Sequence, residues 1–164
     1  MPPTNRPLTP APVLEVRVQY ALPRAGWPAP RTLHQAARAA WRGQGAAQVL
    51  LRVVDAEEGR HLNEAFRGRQ AATNVLSFPA PPEATVPGDP LFLGDIVLCA
   101  HVLAGEAREQ HKPLAAHFAH MIVHGMLHLQ GLDHQTAAEA EAMETIEREM
   151  LDGLGYPDPY EELP

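Results

Sequence analysis

Apolar and polar residues alternate along several short stretches of the chain and recur at helical spacing along others. The alternating stretch VLEVRVQY (13–20) predicts a half-buried strand, and AQVLLRVVD (47–55) predicts a second, more apolar one. Two further strands are predicted at TNVLSFPA (73–80), which a proline closes, and at LFLGDIVLCAHV (91–102), which contains a glycine.

Helical spacing of apolar residues, with proline, acidic residues or glycine at the boundaries, predicts five helices. They cover residues 30–45, 56–68, 103–111, 113–130 and 136–152. The resulting order βαβαββααα predicts an α/β fold: a single-domain sandwich in which a mixed, roughly four-stranded sheet is covered by about five helices.

The length of 164 residues suits one domain. Five prolines fall within residues 1–12, so we expect a flexible tail there, followed by one domain over 13–155 and a C-terminal tail over 156–164. The acid- and proline-rich loop 81–89 is expected to be exposed and mobile.

The formal net charge of −7 counts against a protein whose whole surface coats nucleic acid or an anionic membrane, but it does not exclude a local basic groove. Twelve of the thirteen basic residues are arginine, which favours planar, bidentate phosphate contacts. No apolar run is long enough for a membrane span and no signal peptide is seen, so we expect a cytoplasmic protein. The single cysteine, Cys99, excludes an intramolecular disulfide and a thiolate-rich zinc site, and is expected to be a buried thiol.

Histidines are concentrated in one part of the chain: seven of the nine lie between positions 101 and 134. Four of them fall on one face of the helix predicted over 113–130, within about 80° at 100° per residue. These are His117, His120, His124 and His128. Four buried imidazoles on one face would each need a partner, which favours a metal site over simple core packing.

Helix geometry restricts which histidines share an ion. Residues four apart lie about 6 Å apart along the axis and can converge, whereas residues eight apart lie about 12 Å apart and cannot. Gly131 can adopt positive φ, end the helix and turn the chain back, which brings His134 towards the last helical turn. We therefore predict a metal site at the end of this core helix with His124, His128 and His134 as ligands and His120 beside it. Three nitrogen ligands leave a fourth position open, as in catalytic zinc sites, although nickel and copper also bind imidazole.

Two neighbouring residues qualify this prediction. Asp133 is a candidate to orient a ligand imidazole, or it simply forms the turn after Gly131. A zinc peptidase would carry Glu directly after its first ligand as general base, whereas this chain has Gly125. We expect Gly125 to leave room above the metal for a bulky substrate or to permit close backbone approach.

Three segments together resemble one known family. HGMLHLQGLDH (124–134) is similar to the H-G-x-L-H-L-x-G-Y-D-H signature of the YbeY family, bacterial endoribonucleases specific for single strands. LNEAFRGRQAATNVLSFP (62–79) and LGDIVLC (93–99) agree with two further family motifs. The chain departs from the pattern where Leu132 replaces Tyr, and where Gln70 and Ala72 replace Asp and Pro.

The resemblance implies that His124, His128 and His134 bind one zinc ion per chain, and that Arg67 is functionally important. We place Arg67 and His124 in the catalytic machinery. The resemblance also implies action in ribosomal RNA maturation, including the 3′ end of 16S rRNA, and in ribosome quality control. The implied partners are single-stranded RNA and the small ribosomal subunit or its assembly proteins, with neither membrane nor DNA.

Alternatives remain at this point. Without the resemblance, Arg67 is interpreted equally well as a surface arginine at a helix C-terminus as it is as a functional residue. Two other functions stay open: a non-catalytic, zinc-stabilised binding protein in ribosome biogenesis, and a metallohydrolase with another substrate, which Gly125 and the resemblance disfavour.

Overall fold

A computed structural model of the chain describes residues 13–67 and 74–161, with the side chains of residues 66 and 67 outside the description. In this part of the chain four strands form one sheet in the order β1-β2-β4-β3. β1 is parallel to β2, β2 is parallel to β4, and β3 is antiparallel to β4. The strands are Leu14–Tyr20 (β1), Ala47–Val54 (β2), Val75–Pro79 (β3) and Leu91–Cys99 (β4).

The described residues also contain five α-helices and one 3₁₀ turn, Pro82–Ala84. The helices are Pro30–Ala39 (α1), Ala56–Arg67 (α2), Ala100–Glu109 (α3), Leu114–Leu129 (α4) and Ala137–Gly153 (α5). The predicted α/β sandwich, with a mixed four-stranded sheet and five helices, is confirmed.

Two predicted boundaries are wrong. The fourth strand ends at Cys99 instead of residue 102, because Ala100, Leu103 and Ala107 are buried at helical spacing and belong to α3. The first helix ends at Ala39 instead of residue 45. The indole N–H of Trp41 donates to the carbonyl of Gly45 (3.2 Å), and residues 41–45 form neither helix nor strand.

The sheet separates a large core from a small one. Ile96 and Leu98 of β4 face the large core with residues from α1, α4 and α5. Val97 and Cys99 face the opposite side, where Leu62 of α2 packs against them. Because successive strand residues point to opposite faces, β4 contributes to both cores, as expected for a strand covered on both sides.

Cys99 is a fully buried free thiol, as predicted. Burial, aided by the negative charge of Glu58, raises the pKa of the thiol to about 11. The residue therefore behaves as a small apolar side chain in the core beneath α2.

Gly94 has a structural reason to be glycine within β4. Its φ is +135°, and a Cβ atom there would lie only 2.2 Å from the carbonyl oxygen of Phe78 on β3. The register between β2 and β4 shifts nearby, between Gln48 and Val49. A glycine inside a strand commonly marks such an irregularity, where two backbones approach closely.

α4 is the central helix of the large core, and its residues Ala116–Val123 are buried. α1, α3, α5 and the sheet all contact it. The proposed metal ligands lie at its C-terminal end, so the surrounding layers fix their position. None of the helices in the described residues combines the length and hydropathy needed to cross a membrane.

The segment after α5, for which the sequence predicted a tail from residue 156, makes contacts with the domain. Tyr156 packs against the large core. Tyr160 donates a hydrogen bond to the buried Glu147 of α5 (2.7 Å). The Nζ of Lys112 donates to the carbonyl oxygen of Pro159. Residues 156–161 therefore lie against α4 and α5.

Candidate metal centre

The histidine stripe of α4 runs from the interior of the protein to its surface. His117 and His120 are buried at 3% and 6% exposure, whereas His124 and His128, further along the helix, are half-buried. A half-buried imidazole keeps one ring edge accessible to a ligand, and the two buried ones must find partners within the protein.

Gly131 ends α4 as the sequence predicted. Its φ is +95°, and its N–H donates to the carbonyl of His128 (3.0 Å). The N–H of Leu132 donates to the carbonyl of Leu127 (3.0 Å), which completes a Schellman motif. This turn reverses the chain and carries the exposed His134 back beside the last turn of the helix.

The three predicted ligands lie together. One ring nitrogen from each of His124, His128 and His134 lies within 4.8 Å of the others. The Nε2 atoms of His124 and His128 are 3.0 Å apart. Zn–N bonds of about 2.0–2.1 Å in a tetrahedral site place two ligand nitrogens roughly 3.3 Å apart. The cluster therefore has dimensions that suit a small divalent metal ion.

The electrostatics also suit a metal. Burial, together with the neighbouring imidazoles of His124 and His134, lowers the pKa of His128 below its usual range. His128 is therefore neutral near pH 7 and offers a nitrogen lone pair, which metal binding requires.

A buried carboxylate orients His124. The Nδ1 of His124 lies 3.0 Å from the Oε1 of Glu147, which is 1% exposed. Burial alone would raise the pKa of Glu147, but hydrogen bonds from His120, His124 and Tyr160 outweigh it and lower the pKa to about 2. Because the ionised carboxylate only accepts, Nδ1 of His124 carries the hydrogen and Nε2 is free to face the other ligands.

Glu147 was not predicted from the sequence, which offered Asp133 for this role instead. Asp133 accepts a hydrogen bond from the backbone N–H of His134 (2.7 Å), which is the turn-forming role. A signal for Glu147 was present: it lies four residues from both Met143 and Leu151, the other buried residues of α5. A carboxylate on the apolar stripe of a helix needs a buried partner, and His124 is one.

The other histidines of the stripe have partners of their own. The Nε2 of His120 lies 3.1 Å from the Oε1 of Glu147, so His120 is beside the cluster, as predicted. The Nε2 of His117 lies 3.0 Å from the Oε1 of Glu106 on α3. Burial lowers the pKa of His117 despite this carboxylate, so the residue belongs to the packing between α3 and α4.

Gly125 permits close approach between α4 and the sheet. A Cβ atom at this position would lie 3.1 Å from both the Cγ2 of Ile96 and the Oγ of Ser77. Of the two roles expected from the sequence, the structure supports close backbone approach. Room above a metal is not what this glycine provides, because its missing side chain points at β3 and β4.

The histidine cluster opens into a groove between β3 and the turn after α4. Besides the three histidines, the groove is lined by Asn74, Val75, Ser77, Pro79, Asp133 and Gln135. The amide of Asn74 is held by Glu106 and the backbone of Val75, so Ser77, Asp133 and Gln135 are the side chains that offer hydrogen-bonding groups next to the ligand nitrogens. The groove therefore has space and partners for a polar substrate at the open side of the cluster.

Arg67 is the last residue of α2, and its side chain lies outside the described residues, as do Gln70 and Ala72. The predicted role of Arg67 therefore stays a prediction. Leu132, the third departure from the family pattern, packs partly buried against the large core.

Comparison with known proteins gives one consistent result. The family model described as Endoribonuclease YbeY matches residues 29–155. A protein named Endoribonuclease YbeY from Stenotrophomonas maltophilia is 53% identical over 150 residues, which cover 90% of this chain and 93% of that protein. A protein of the same name from Alkalilimnicola ehrlichii is 54% identical over 156 residues, covering 92% and 93%.

A solved structure also matches. The solution structure of TM1509 from Thermotoga maritima aligns with a TM-score of 0.53 and 22% identity, covering 89% of this chain and 99% of that one. This likeness supports the fold.

Proposed function

The chain belongs to the YbeY endoribonuclease family, and from that premise we propose that it is a zinc-dependent endoribonuclease specific for single-stranded RNA. The observation that carries the proposal is the convergence of three imidazole nitrogens within 4.8 Å of one another beside an open groove. Three protein ligands leave one coordination position for water or substrate, which is typical of catalytic zinc sites.

The donor set fits the proposed metal. Imidazole nitrogen is a preferred zinc ligand, and the Glu147 carboxylate directs the Nε2 of His124 into the cluster. When bound there, zinc supplies Lewis acidity, which polarises a phosphoryl oxygen or lowers the pKa of a water molecule.

The remaining roles belong to the residues around the groove. We assign Ser77 and Gln135, which line it, to hydrogen bonds with the ribose and phosphate of the bound strand. Arg67 is assigned to the phosphoryl group, because its planar guanidinium forms bidentate contacts with phosphate oxygens and stabilises charge that develops there. This assignment follows from the family motif around residue 67.

We further propose that the substrate is ribosomal RNA, with action at the 3′ end of 16S rRNA and in ribosome quality control. The small ribosomal subunit or its assembly proteins would then be the partners, and the cytoplasm the location. The relatives that match over nine-tenths of the chain are named endoribonucleases, which supports RNA as the substrate class. The ribosomal target follows from the resemblance of the three sequence motifs to the family.

A nuclease assay on metal-quantified protein tests the proposal. Wild-type protein is expected to cleave an unstructured RNA but not its duplex, to lose activity with a chelator while remaining folded, and to regain it with zinc. His128→Ala should be inactive. His61→Ala, which alters an exposed histidine on α2 outside the cluster, should remain active and serves as the matched control.

Contaminating nuclease would produce equal cleavage in all three preparations, and that result would refute the enzymatic proposal. Folded, zinc-loaded protein that unfolds with chelator but never cleaves RNA would instead support a zinc-stabilised binding protein.

A further inference from the structure

Residues 156–161 follow the last helix, and Tyr160 in this segment contacts Glu147, the carboxylate that orients the proposed metal ligand His124. The hydroxyl of Tyr160 donates to the Oε2 of Glu147 at 2.7 Å. The ring of Tyr160 packs edge-on against His120, with ring centroids 5.2 Å apart. The guanidinium of Arg148 lies over the Tyr160 ring, 5.1 Å from its centroid. The tyrosine is thus held on several sides.

The two oxygens of Glu147 serve different partners. Oε1 faces the Nδ1 of His124 at 3.0 Å and the Nε2 of His120 at 3.1 Å, while Oε2 accepts from Tyr160. A carboxylate held at both oxygens has one orientation. Without the tyrosine hydroxyl, Oε2 would be a buried acceptor lacking a partner, and the carboxylate would have to rotate or admit water. Either change alters the hydrogen bond to His124.

We propose that Tyr160 is a positioning residue of the metal centre, acting through Glu147 on His124, so that docking of residues 156–161 is coupled to metal affinity. The inference rests on the metal-binding part of the proposed function and is independent of RNA cleavage. Coupling between two sites is reciprocal, so bound metal must hold the segment in place by the same factor by which the docked segment tightens metal binding.

The expected loss of zinc affinity depends on how directly each residue contacts a ligand histidine. Loss of a residue that contacts a ligand histidine directly typically costs about 10–100-fold in metal affinity. Glu147→Gln is expected to fall in that range. Tyr160 acts one hydrogen bond further away, so Tyr160→Phe is expected to weaken zinc binding by roughly three- to tenfold.

Tyr20→Phe is the matched control. The hydroxyl of Tyr20 donates to the carbonyl of Pro28 at 2.6 Å, so this variant also loses one partly buried hydrogen bond. Tyr20 lies on β1, at the opposite edge of the sheet from β3, which lines the groove. A merely structural effect would lower the melting temperature of both variants without changing the zinc dissociation constant of either.

The experiment measures the zinc dissociation constant by competition with a chromophoric chelator, and the visible spectrum after Co²⁺ substitution. Tyr160→Phe is expected to weaken zinc binding and to change the Co²⁺ spectrum, while Tyr20→Phe stays within twofold of wild type. In wild-type protein, zinc is expected to slow hydrogen exchange at the backbone amides of 156–161. That measurement needs no variant and holds even if Tyr160→Phe does not fold.

An unchanged dissociation constant in folded Tyr160→Phe overturns the inference, as does hydrogen exchange at 156–161 that is insensitive to zinc. Wild-type protein that binds no zinc would overturn the metal-binding proposal itself, so the two failures are distinguishable.

Discussion

The Nδ1 of His124 lies 3.0 Å from the Oε1 of Glu147, which is 23 residues further along the chain. This contact joins the end of α4 to the middle of α5 and fixes which nitrogen of His124 faces His128 and His134. The same carboxylate faces His120 and accepts from Tyr160. One buried acidic group therefore connects two helices, the C-terminal segment and the candidate metal centre.

The ligand assignment predicts a metal stoichiometry. Wild-type protein should hold one zinc ion per chain, and His128→Ala should lose most of it because two imidazoles bind zinc weakly. His117→Ala should retain the metal, since His117 pairs with Glu106 outside the cluster. Elemental analysis of folded, monodisperse protein measures this. Equal zinc content in the two variants would contradict the assignment of His128.

Zinc is expected to stabilise the fold. The ligands join α4 to the chain beyond Gly131, so only the folded state presents all three together. A ligand that binds only the folded state adds about 2.7 kcal/mol at a hundredfold excess over its dissociation constant. Thermal melts with zinc and with chelator check this, and identical midpoints would show that the site is not coupled to folding.

Gly125→Ala should destabilise the protein although alanine is the better helix former. The added Cβ would meet Ile96 and Ser77 at 3.1 Å, and overpacking of this kind typically costs about 1–3 kcal/mol. Gly105→Ala on α3 is the matched control: a Cβ there meets nothing within 4 Å, so a gain of roughly 0.5–1 kcal/mol is expected. Urea unfolding measures both. A stabilised Gly125→Ala would show that α4 can move away from the sheet at little cost.

The low pKa of Glu147 predicts a stability that depends on acid pH. Its pKa is about 2 in the folded protein against an ordinary 4.5, so the unfolded chain takes up this proton first as the pH falls. The contribution, roughly 3 kcal/mol for a shift of this size, is complete above pH 4.5 and is lost as the pH falls towards 2.

Urea unfolding with chelator present, at pH 6 and pH 3, measures the difference between wild type and Glu147→Gln. The difference should be largest at pH 6 and smaller at pH 3. Glu149→Gln, at an exposed position of the same helix, should show no such trend. A gap between wild type and Glu147→Gln that is constant with pH would mean that Glu147 is not held ionised by its partners.

Substitution of Arg67 is expected to affect RNA cleavage without affecting the fold. If it stabilises phosphoryl charge, Arg67→Ala should retain zinc and the fold while RNA cleavage falls by about 10²–10³. Arg67→Lys should restore only part of the rate, because a point charge cannot reproduce a two-pronged contact. The RNA cleavage rates of the zinc-loaded variants test this role. A rate for Arg67→Ala within threefold of wild type would show that Arg67 does not act in the site.

The sequence by itself determined the three proposed ligands, because the structure that brings them together is local. His124 and His128 are one helical turn apart, and Gly131 with positive φ reverses the chain so that His134 returns. The geometry of one helix and one turn was therefore enough. The strands and helices followed from hydrophobic periodicity for the same reason, with two exceptions: the apolar residues after Cys99 fitted strand and helix equally well, and the first helix ends at Ala39 before the predicted residue 45.

Only the tertiary structure decided what surrounds the ligands. Whether Asp133 or Glu147 orients an imidazole depends on how α5 packs on α4, and the burial of Glu147 among Met143 and Leu151 is a consequence of that packing. The role of Gly125 likewise depends on the distance between α4 and the sheet. Periodicity in a sequence specifies which face of a helix is buried, but the partner on that face comes from elsewhere in the chain. That partner is fixed only when the layers pack.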